Sequence, residues 1–322
     1  MNPSPTPVGR LAPSPTGLLH LGHARSFLVA WLAARSRGGR LCMRLDDLDR
    51  SRVRPEFEAA CLADLEWLGL DWDGPVLKQS SHGAEWAAVA HELGQRGLAY
   101  PCVCTRREVQ EAIAAPHGDG PSSPYPGTCR GRFAGPEEAR QASGREPALR
   151  FRVAPGEVTI HDELAGDFSQ AVAALVGDFP LTSRDGQAAY QLAVVLDDQR
   201  AGVSEVYRGL DLLESTPRQA LLIEALGFER PRWWHLGLVT DAAGQRLAKR
   251  RDDLSLAALR TAGVEPERLV GWLAGSLGGA VAPEGSEPCT AGDLVAGFDG
   301  GKLSVAPLAF DAAARSLLKF AP

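Results

Sequence analysis

Three features of the sequence predict an open α/β fold: a doubly wound parallel sheet split by one insertion. Strand-like and helical patterns alternate over the first hundred residues, a block rich in Cys, Pro, Gly and Ser breaks the alternation after Cys102, and strand character returns from Tyr190 onward. The chain has 322 residues, 44% hydrophobic and 23% charged, a composition that favours one or two well-cored globular domains over disorder.

Val8 to Ala12 and Arg40 to Leu45 read as buried strands, and the apolar spacing from Leu21 to Arg35 predicts a helix between them, which makes a βαβ unit. Helical patterns follow at Glu56 to Leu68, ending in a Gly-Leu-Asp turn, and at Glu85 to Gly97. From Cys102 to Arg132 the texture is that of loops, then of short strands such as Leu149 to Val153, so this middle block reads as an insert. Strands are expected again at Tyr190 to Leu196, Glu205 to Tyr207 and Leu236 to Thr240, with a long helix over Leu212 to Leu226. After Gly275 the chain is rich in Gly, Ala and Pro and carries little pattern.

The net charge of −6 and pI near 5.7 argue against a protein coated in basic surface, though a local basic stripe for nucleic acid remains compatible with them. No apolar run approaches the ~20 residues of a membrane span, and residues 1–10 lack the apolar core of a secretory signal. A cytoplasmic protein without membrane contact is therefore expected, in which the six cysteines serve as thiols or metal ligands rather than disulfides.

The stretch PSPTGLLHLGH, residues 13–23, places two histidines in the first turn of the first helix, where helix stability does not call for them. A phosphate at the end of a parallel strand would meet the free amides and positive dipole end of that helix, and imidazoles there would add donors for a charged phosphorus centre. Gly22 leaves room for a nucleotide to lie close. The plainer reading is that His20 and His23 merely share a helix face.

Residues 9–26, GRLAPSPTGLLHLGHARS, resemble the signature of class I aminoacyl-tRNA synthetases of the glutamyl type, whose His-Ile-Gly-His motif is here His20-Leu21-Gly22-His23. The likeness continues through RLDDLDRSRVRPE, LGLDWDGP, AYQLAVVLDD, EVYRGLDLL and GQRLAKRRD, in the family's order, over roughly residues 8 to 275. It implies a Rossmann-like class I synthetase fold with an inserted zinc-containing subdomain. The expected division is a catalytic domain from 1–100 and 190–262, an insert at 101–189, and a short helical region and tail at 263–322. The best fit within the family is the short paralogue group directed to queuosine in tRNA(Asp), which has no anticodon-binding domain; the 47 residues after Gly275 fall short of the ~100 to 200 of a further domain.

The segment RLAKRR, residues 246–251, falls where the family has its Lys-Met-Ser-Lys-Ser loop. The resemblance makes Lys249 the lysine that meets departing pyrophosphate, a role suited to a cationic loop because charge builds on the leaving oxygens as the bond breaks. Ala248 and Arg250 depart from the family's polar residues, which puts two hydroxyl contacts in doubt. A substrate with two carboxylates and one ammonium asks for guanidinium forks and a carboxylate. By resemblance, Arg10, Ser14, Asp46, Tyr190 and Arg208 are the glutamate contacts, with His20, Gly22, His23 and Lys249 on ATP. Asp46 departs from the family's usual Glu, so the ammonium must be reached by a small shift or through water. Asp47, Asp49, Asp197 and Asp198 read as capping or solvated carboxylates, with Mg2+ arriving on ATP.

Cys102, Cys104 and Cys129 form a three-thiolate set in a Gly/Pro-rich loop, and structural zinc takes four ligands. His117 is the stronger fourth ligand on chemistry alone, whereas the resemblance implies Tyr125 and one structural Zn2+ per chain. Cys42 and Cys61 are expected in packing, with Cys289 left open. Arg106, Arg107, Arg130 and Arg132 flank the cysteines and are candidates for RNA phosphates or plain solvated charge.

The resemblance implies a ligase, acting as a monomer on ATP, L-glutamate and queuosine-bearing tRNA(Asp). It forms glutamyl-adenylate without needing tRNA, then transfers glutamate to a cyclopentenediol hydroxyl of queuosine. The alternatives are a truncated glutamyl-tRNA synthetase charging the 3′ end of tRNA(Glu), a nucleotidyltransferase sharing only the histidine helix, and an inactive zinc-containing RNA-binding protein.

Overall fold

The structure, a computed structural model, describes residues 6–105, 107–109, 124–245, 247, 254–281 and 287–320. Strands β1 (Val8–Leu11), β2 (Arg40–Leu45) and β3 (Leu77–Lys78) form a parallel sheet in that order, with Val8 opposite Arg40 and Arg44 opposite Leu77. An antiparallel pair, β4 (Ala99–Cys102) and β5 (Ala148–Phe151), stands apart from it. A second sheet contains β6 (Val158–Asp162), β7 (Gly166–Gln170), β8 (Glu205–Gly209) and β9 (Arg232–Leu236) in the order β7-β6-β9-β8. Its β6, β8 and β9 run parallel, with β7 as an antiparallel edge. The 101–189 segment thus gives a hairpin to the sheet that also holds β8 and β9. A parallel pair, β10 (Val239–Asp241) with β11 (Leu308–Phe310), closes the set.

The two sheets meet at a seam between β1 and β8. There the Ser204 amide donates to the Val8 carbonyl at 2.9 Å and the Val8 amide to Ser204 Oγ at 3.0 Å, while no continuous ladder joins the strands. Helix α1 (Leu21–Arg35), between β1 and β2, is buried on nearly every side because it packs under both sheets and a helical layer. Helices α2 (Pro55–Trp67) and α3 (Gly83–Gln95) follow near the expected positions. Short α4 (Pro136–Ser143) and α5 (Val172–Leu175) lie in the middle segment.

The strand expected at Tyr190 to Leu196 is instead a helix, α6 (Tyr190–Ala201), ended by Gly202 in the left-handed conformation. Leu192 to Asp198 are buried without a break, which erases the 3.6-residue alternation; a short apolar run then looks the same in a buried strand or a buried helix. The helix expected from Leu212 starts at Thr216 as α7 (Thr216–Leu226), with Pro217 in its first turn after a 3-10 stretch over 210–215. The expected Leu236 to Thr240 strand is divided at Gly237 and Leu238 between β9 and β10. Beyond it, α8 (Leu256–Thr261), α9 (Pro266–Gly275) and α10 (Ala312–Leu317) pack against the α1 core through Leu259, Leu269, Leu273 and Ala314.

A second core fills the space between α3, α6, α7 and β5, with Trp86, Phe151, Leu192, Ile223 and Trp233 at its centre. Cys42 and Cys61 are buried as expected, and Cys289 is half-buried. Among the described residues no helix is long and apolar enough to cross a membrane.

Candidate active site

A cleft of about 280 Å³ opens at the carboxyl ends of β1 and β8, where the strand order reverses. This is the crevice in which open α/β sheets bind ligands. Eight of the predicted site residues line it: Arg10, Ser14, His20, Gly22, His23, Asp46, Tyr190 and Arg208. The turn that carries Ser14 is held to the second strand by the Asp46 amide, which donates to the Pro13 carbonyl at 2.9 Å.

Both histidines contribute to the helix they begin, contrary to the expectation that stability does not call for them. His20 is the N-cap: its Nδ1 accepts from the Gly22 amide at 3.1 Å, and His23 Nδ1 accepts from the His20 amide at 3.2 Å, a reciprocal capping box. Since Nδ1 is the acceptor in both rings, the proton of each neutral imidazole sits on Nε2. The rings lie 3.8 Å apart between centroids. A Cβ on Gly22 would come within 3.0 Å of the His20 ring, so glycine there lets the cap form.

The guanidinium groups differ in how firmly they are held. Arg10 is buried but makes only long contacts, 3.4 Å from Nε to Asp198 and 3.4 Å from Nη1 to the Tyr207 carbonyl. Arg208 donates from Nε to His235 Nε2 at 2.9 Å and from Nη2 to Thr216 at 2.8 Å and Gln219 at 2.9 Å. Those partners carry no negative charge, and burial pulls the Arg208 pKa down to about 10. His235 is fully buried; its Nδ1 bonds Asp162 at 2.6 Å, its Nε2 accepts, and burial holds its pKa below the ordinary value. Asp162 thereby fixes His235 as the tautomer that orients Arg208.

Asp46 is bound by Arg44, Nε to Oδ1 at 2.6 Å, and burial raises its pKa. Arg44 also donates to Asp198 at 2.5 Å. Asp198 stays below its usual value despite burial, because Arg44 and Arg10 face it. The four other carboxylates weighed as capping or solvated are mostly neither. Asp197 accepts from Gln79 at 2.9 Å and Trp86 at 2.7 Å, Asp198 pairs with Arg44 and Arg10, and Asp47 bonds Ser80. Of the four, only Asp49 is not buried, being half-buried, and it pairs with Ser51 and Arg52. Sequence reasoning missed Arg44, although it shares a strand face with Asp46 two residues on. It also missed His235, Asp162, Thr216 and Gln219, which lie far apart in the chain and carry no local signal. Tyr190 sits at the rim, 37% exposed.

Lys249, Ala248 and Arg250 lie outside the described residues. Their flanks reach the cleft: Leu247 lines it and donates its amide to Val239 at 3.1 Å, and Ser255 bridges to His20.

The three thiols come together as predicted. Cys102, Cys104 and Cys129 sulfurs lie within 4.8 Å of one another, Cys104 to Cys129 at 3.4 Å. The Tyr125 hydroxyl is 3.3 Å from Cys102 Sγ and 3.5 Å from Cys104 Sγ. A tetrahedral zinc ion with three sulfurs and one oxygen needs S···S near ~3.8 Å and O···S near ~3.5 Å, so this donor set fits. Burial alone would raise the Cys102 thiol, but the Tyr125 hydroxyl and the Arg150 guanidinium, 3.2 Å away, hold it below its usual value. His117 and Arg106 lie outside the described residues. Arg130 pairs with Asp178 and the Val153 carbonyl, and the exposed Arg132 lies over the Phe133 ring.

Residues 8–313 match the family described as tRNA synthetases class I (E and Q), catalytic domain. The Glutamyl-Q tRNA(Asp) synthetase of Nitratidesulfovibrio vulgaris is 46% identical over 275 residues, which cover 83% of this chain and 85% of that protein. The protein of the same name from Nocardia farcinica is 45% identical over 300 residues, 93% of this chain and 92% of its own. Glutamate–tRNA ligase 1 of Halorhodospira halophila is 40% identical over 312 residues, 94% of this chain but 64% of that protein. The crystal structure of a glutamate tRNA ligase from Elizabethkingia meningosepticum in complex with its amino acid superposes with a TM-score of 0.83 at 27% identity, covering 97% of this chain and 68% of that one.

Proposed function

The chain belongs to the catalytic-domain family of class I glutamyl- and glutaminyl-tRNA synthetases, and from that premise we propose that it is the ligase that activates glutamate with ATP and transfers it to queuosine in tRNA(Asp). The observation that carries this reading is the 44–46% identity to three relatives named Glutamyl-Q tRNA(Asp) synthetase, over most of both chains.

In the first step the glutamate α-carboxylate oxygen bonds the α-phosphorus of ATP as the bond to the pyrophosphate oxygen breaks. His20 and His23 donate from Nε2 to the phosphorus-bound oxygens, helped by the positive dipole end of α1, and Lys249 meets the departing pyrophosphate. Magnesium bound to ATP supplies charge neutralisation there. Arg10 and Arg208 take substrate carboxylates, Ser14 and Tyr190 shape the entrance, and Asp46 takes the ammonium through water, since its oxygens already serve Arg44. A cyclopentenediol hydroxyl then attacks the activated carbonyl, AMP leaves with the bonding pair, and the hydroxyl proton passes to water. Cys102, Cys104, Cys129 and Tyr125 would hold one Zn2+, which ties the β4 end to the 125–129 turn.

The 40% match to a glutamate–tRNA ligase favours a second reading, charging of tRNA(Glu) at its 3′ end. Glutamate-dependent ATP–pyrophosphate exchange without tRNA, followed by transfer of labelled glutamate to tRNA(Asp) with and without queuosine and to tRNA(Glu), separates the two. Label retained only by queuosine-bearing tRNA(Asp) is expected; label on tRNA(Glu) would replace the first reading with the second.

A further inference from the structure

Among the described residues the least exposed arginine is Arg25, 1% exposed, two residues beyond His23 on α1. It donates from Nη1 to the carbonyls of Gly237 at 2.6 Å and Ala306 at 3.1 Å, from Nε to Ser276 Oγ at 3.1 Å, and from Nη2 to the Ser276 carbonyl at 3.0 Å. All four acceptors are uncharged, and burial lowers the Arg25 pKa to about 10. The dipole at the carboxyl end of α9, which Ser276 caps, offers compensating negative potential. A guanidinium without a carboxylate is an expensive way to fill a core, so its use has to lie in what it ties together.

Arg25 ties three chain segments at one point. Gly237, Leu238 and Val239 line the same cleft as His20 and His23. The 304–310 segment lies directly on them: a Cβ on Gly237 would sit 2.2 Å from the Val305 carbonyl, the Leu308 amide donates to Leu238 at 3.0 Å, and β11 pairs with β10 from Val239 to Asp241. Val239 in turn accepts from the Leu247 amide, at the base of the segment that holds Lys249.

We propose that Arg25 is a positioning residue for the adenylate-forming step, fastening residues 304–310 as a strap across Gly237–Val239 so that this wall of the ATP cleft, and Leu247 bonded to it, stay in register with the histidine turn. The glutamate-binding arginines have their own anchors, Asp198, His235, Thr216 and Gln219, so a loosened strap affects ATP before glutamate.

The proposal rests on the activity assigned above, and its test separates the two. In ATP–pyrophosphate exchange, Arg25→Lys, which cannot span four acceptors, should raise the KM for ATP about tenfold while the KM for glutamate stays within about twofold, the scale of one lost charge-assisted hydrogen bond. Ser276→Ala, a milder variant, should raise the ATP KM about threefold. Hydrogen exchange read by mass spectrometry should show faster exchange at the Leu308 and Leu247 amides in both, with protection regained on adding ATP. Equal rises in both KM values, or an unchanged ATP KM in a folded Ser276→Ala protein, would overturn the strap. If the unaltered protein shows no exchange activity, the assigned function fails, and the strap stands or falls on ATP affinity and amide protection alone.

Discussion

Replacing His20 by Asn separates the capping bond seen in the structure from the phosphate-donor role proposed for this residue. As N-cap, His20 accepts from the Gly22 amide at 3.1 Å through Nδ1, and an Asn side-chain oxygen can make the same bond. The Nε2 proton has no counterpart in Asn at the same reach. His20→Ala should therefore lose about 1 kcal/mol of stability from the missing cap as well as the phosphate donor, whereas His20→Asn should unfold near the unaltered protein and lose only the donor. Loss of one preorganised donor to a developing oxyanion costs roughly 10²–10³ in rate, about 2.7–4 kcal/mol. The measurements are the thermal midpoint and the rate of glutamate-dependent ATP–pyrophosphate exchange under saturating substrates. A His20→Asn protein that exchanges at the unaltered rate would refute the electrostatic role, and one that loses stability along with rate would show that cap and chemistry cannot be separated.

Arg208→Lys removes a fork held by His235, Thr216 and Gln219, so the KM for glutamate should rise about 10–100-fold with that for ATP little changed; an unchanged glutamate KM contradicts the binding role. Asp64, fully buried with Arg260 3.4 Å away, has its pKa raised to about 6 by burial, against the partial opposition of Arg260. Its folded form keeps a proton that the unfolded chain sheds nearer pH 4, so its penalty is full above about pH 6 and fades as pH falls toward 4. Asp64→Asn should thus stabilise the protein by up to about 3 kcal/mol near pH 8 and by little near pH 4, read from denaturant midpoints; equal effects at both would disprove the assignment. Cys104→Ser should lower bound zinc from one per chain to a substoichiometric amount by elemental analysis, and a chelator should loosen the 125–129 turn in limited proteolysis.

The first βαβ unit was legible because its strands and helix alternate in period and are bounded by turn residues: the helix runs from Leu21 to Arg35 as the spacing predicts. The eight cleft-lining residues were legible through motif order. What escaped was set by long-range packing. Over Leu192–Asp198 the surrounding core covers every face of its helix, a condition that hides the helical period from any local pattern. Arg208 was found, yet the His235–Asp162 pair that orients it comes from strands 73 residues apart. The strap at 304–310 carries no sequence pattern, since its bonds are mainly backbone to backbone and to Arg25.

The interrupted seam between β1 and β8 makes substrates part of the architecture. Arg10, Ser14 and Asp46 belong to one half of the molecule, Arg208 and Tyr190 to the other, and only a few direct bonds join the strands that carry them. In the proposed binding mode a glutamyl-adenylate seated across this gap would act as a rivet, and mass action would turn its occupancy into resistance to unfolding, about 2.7 kcal/mol at a hundredfold excess over the dissociation constant. In that binding mode the substrate-free form is the less stable one, so substrate supply would set resistance to unfolding as well as turnover.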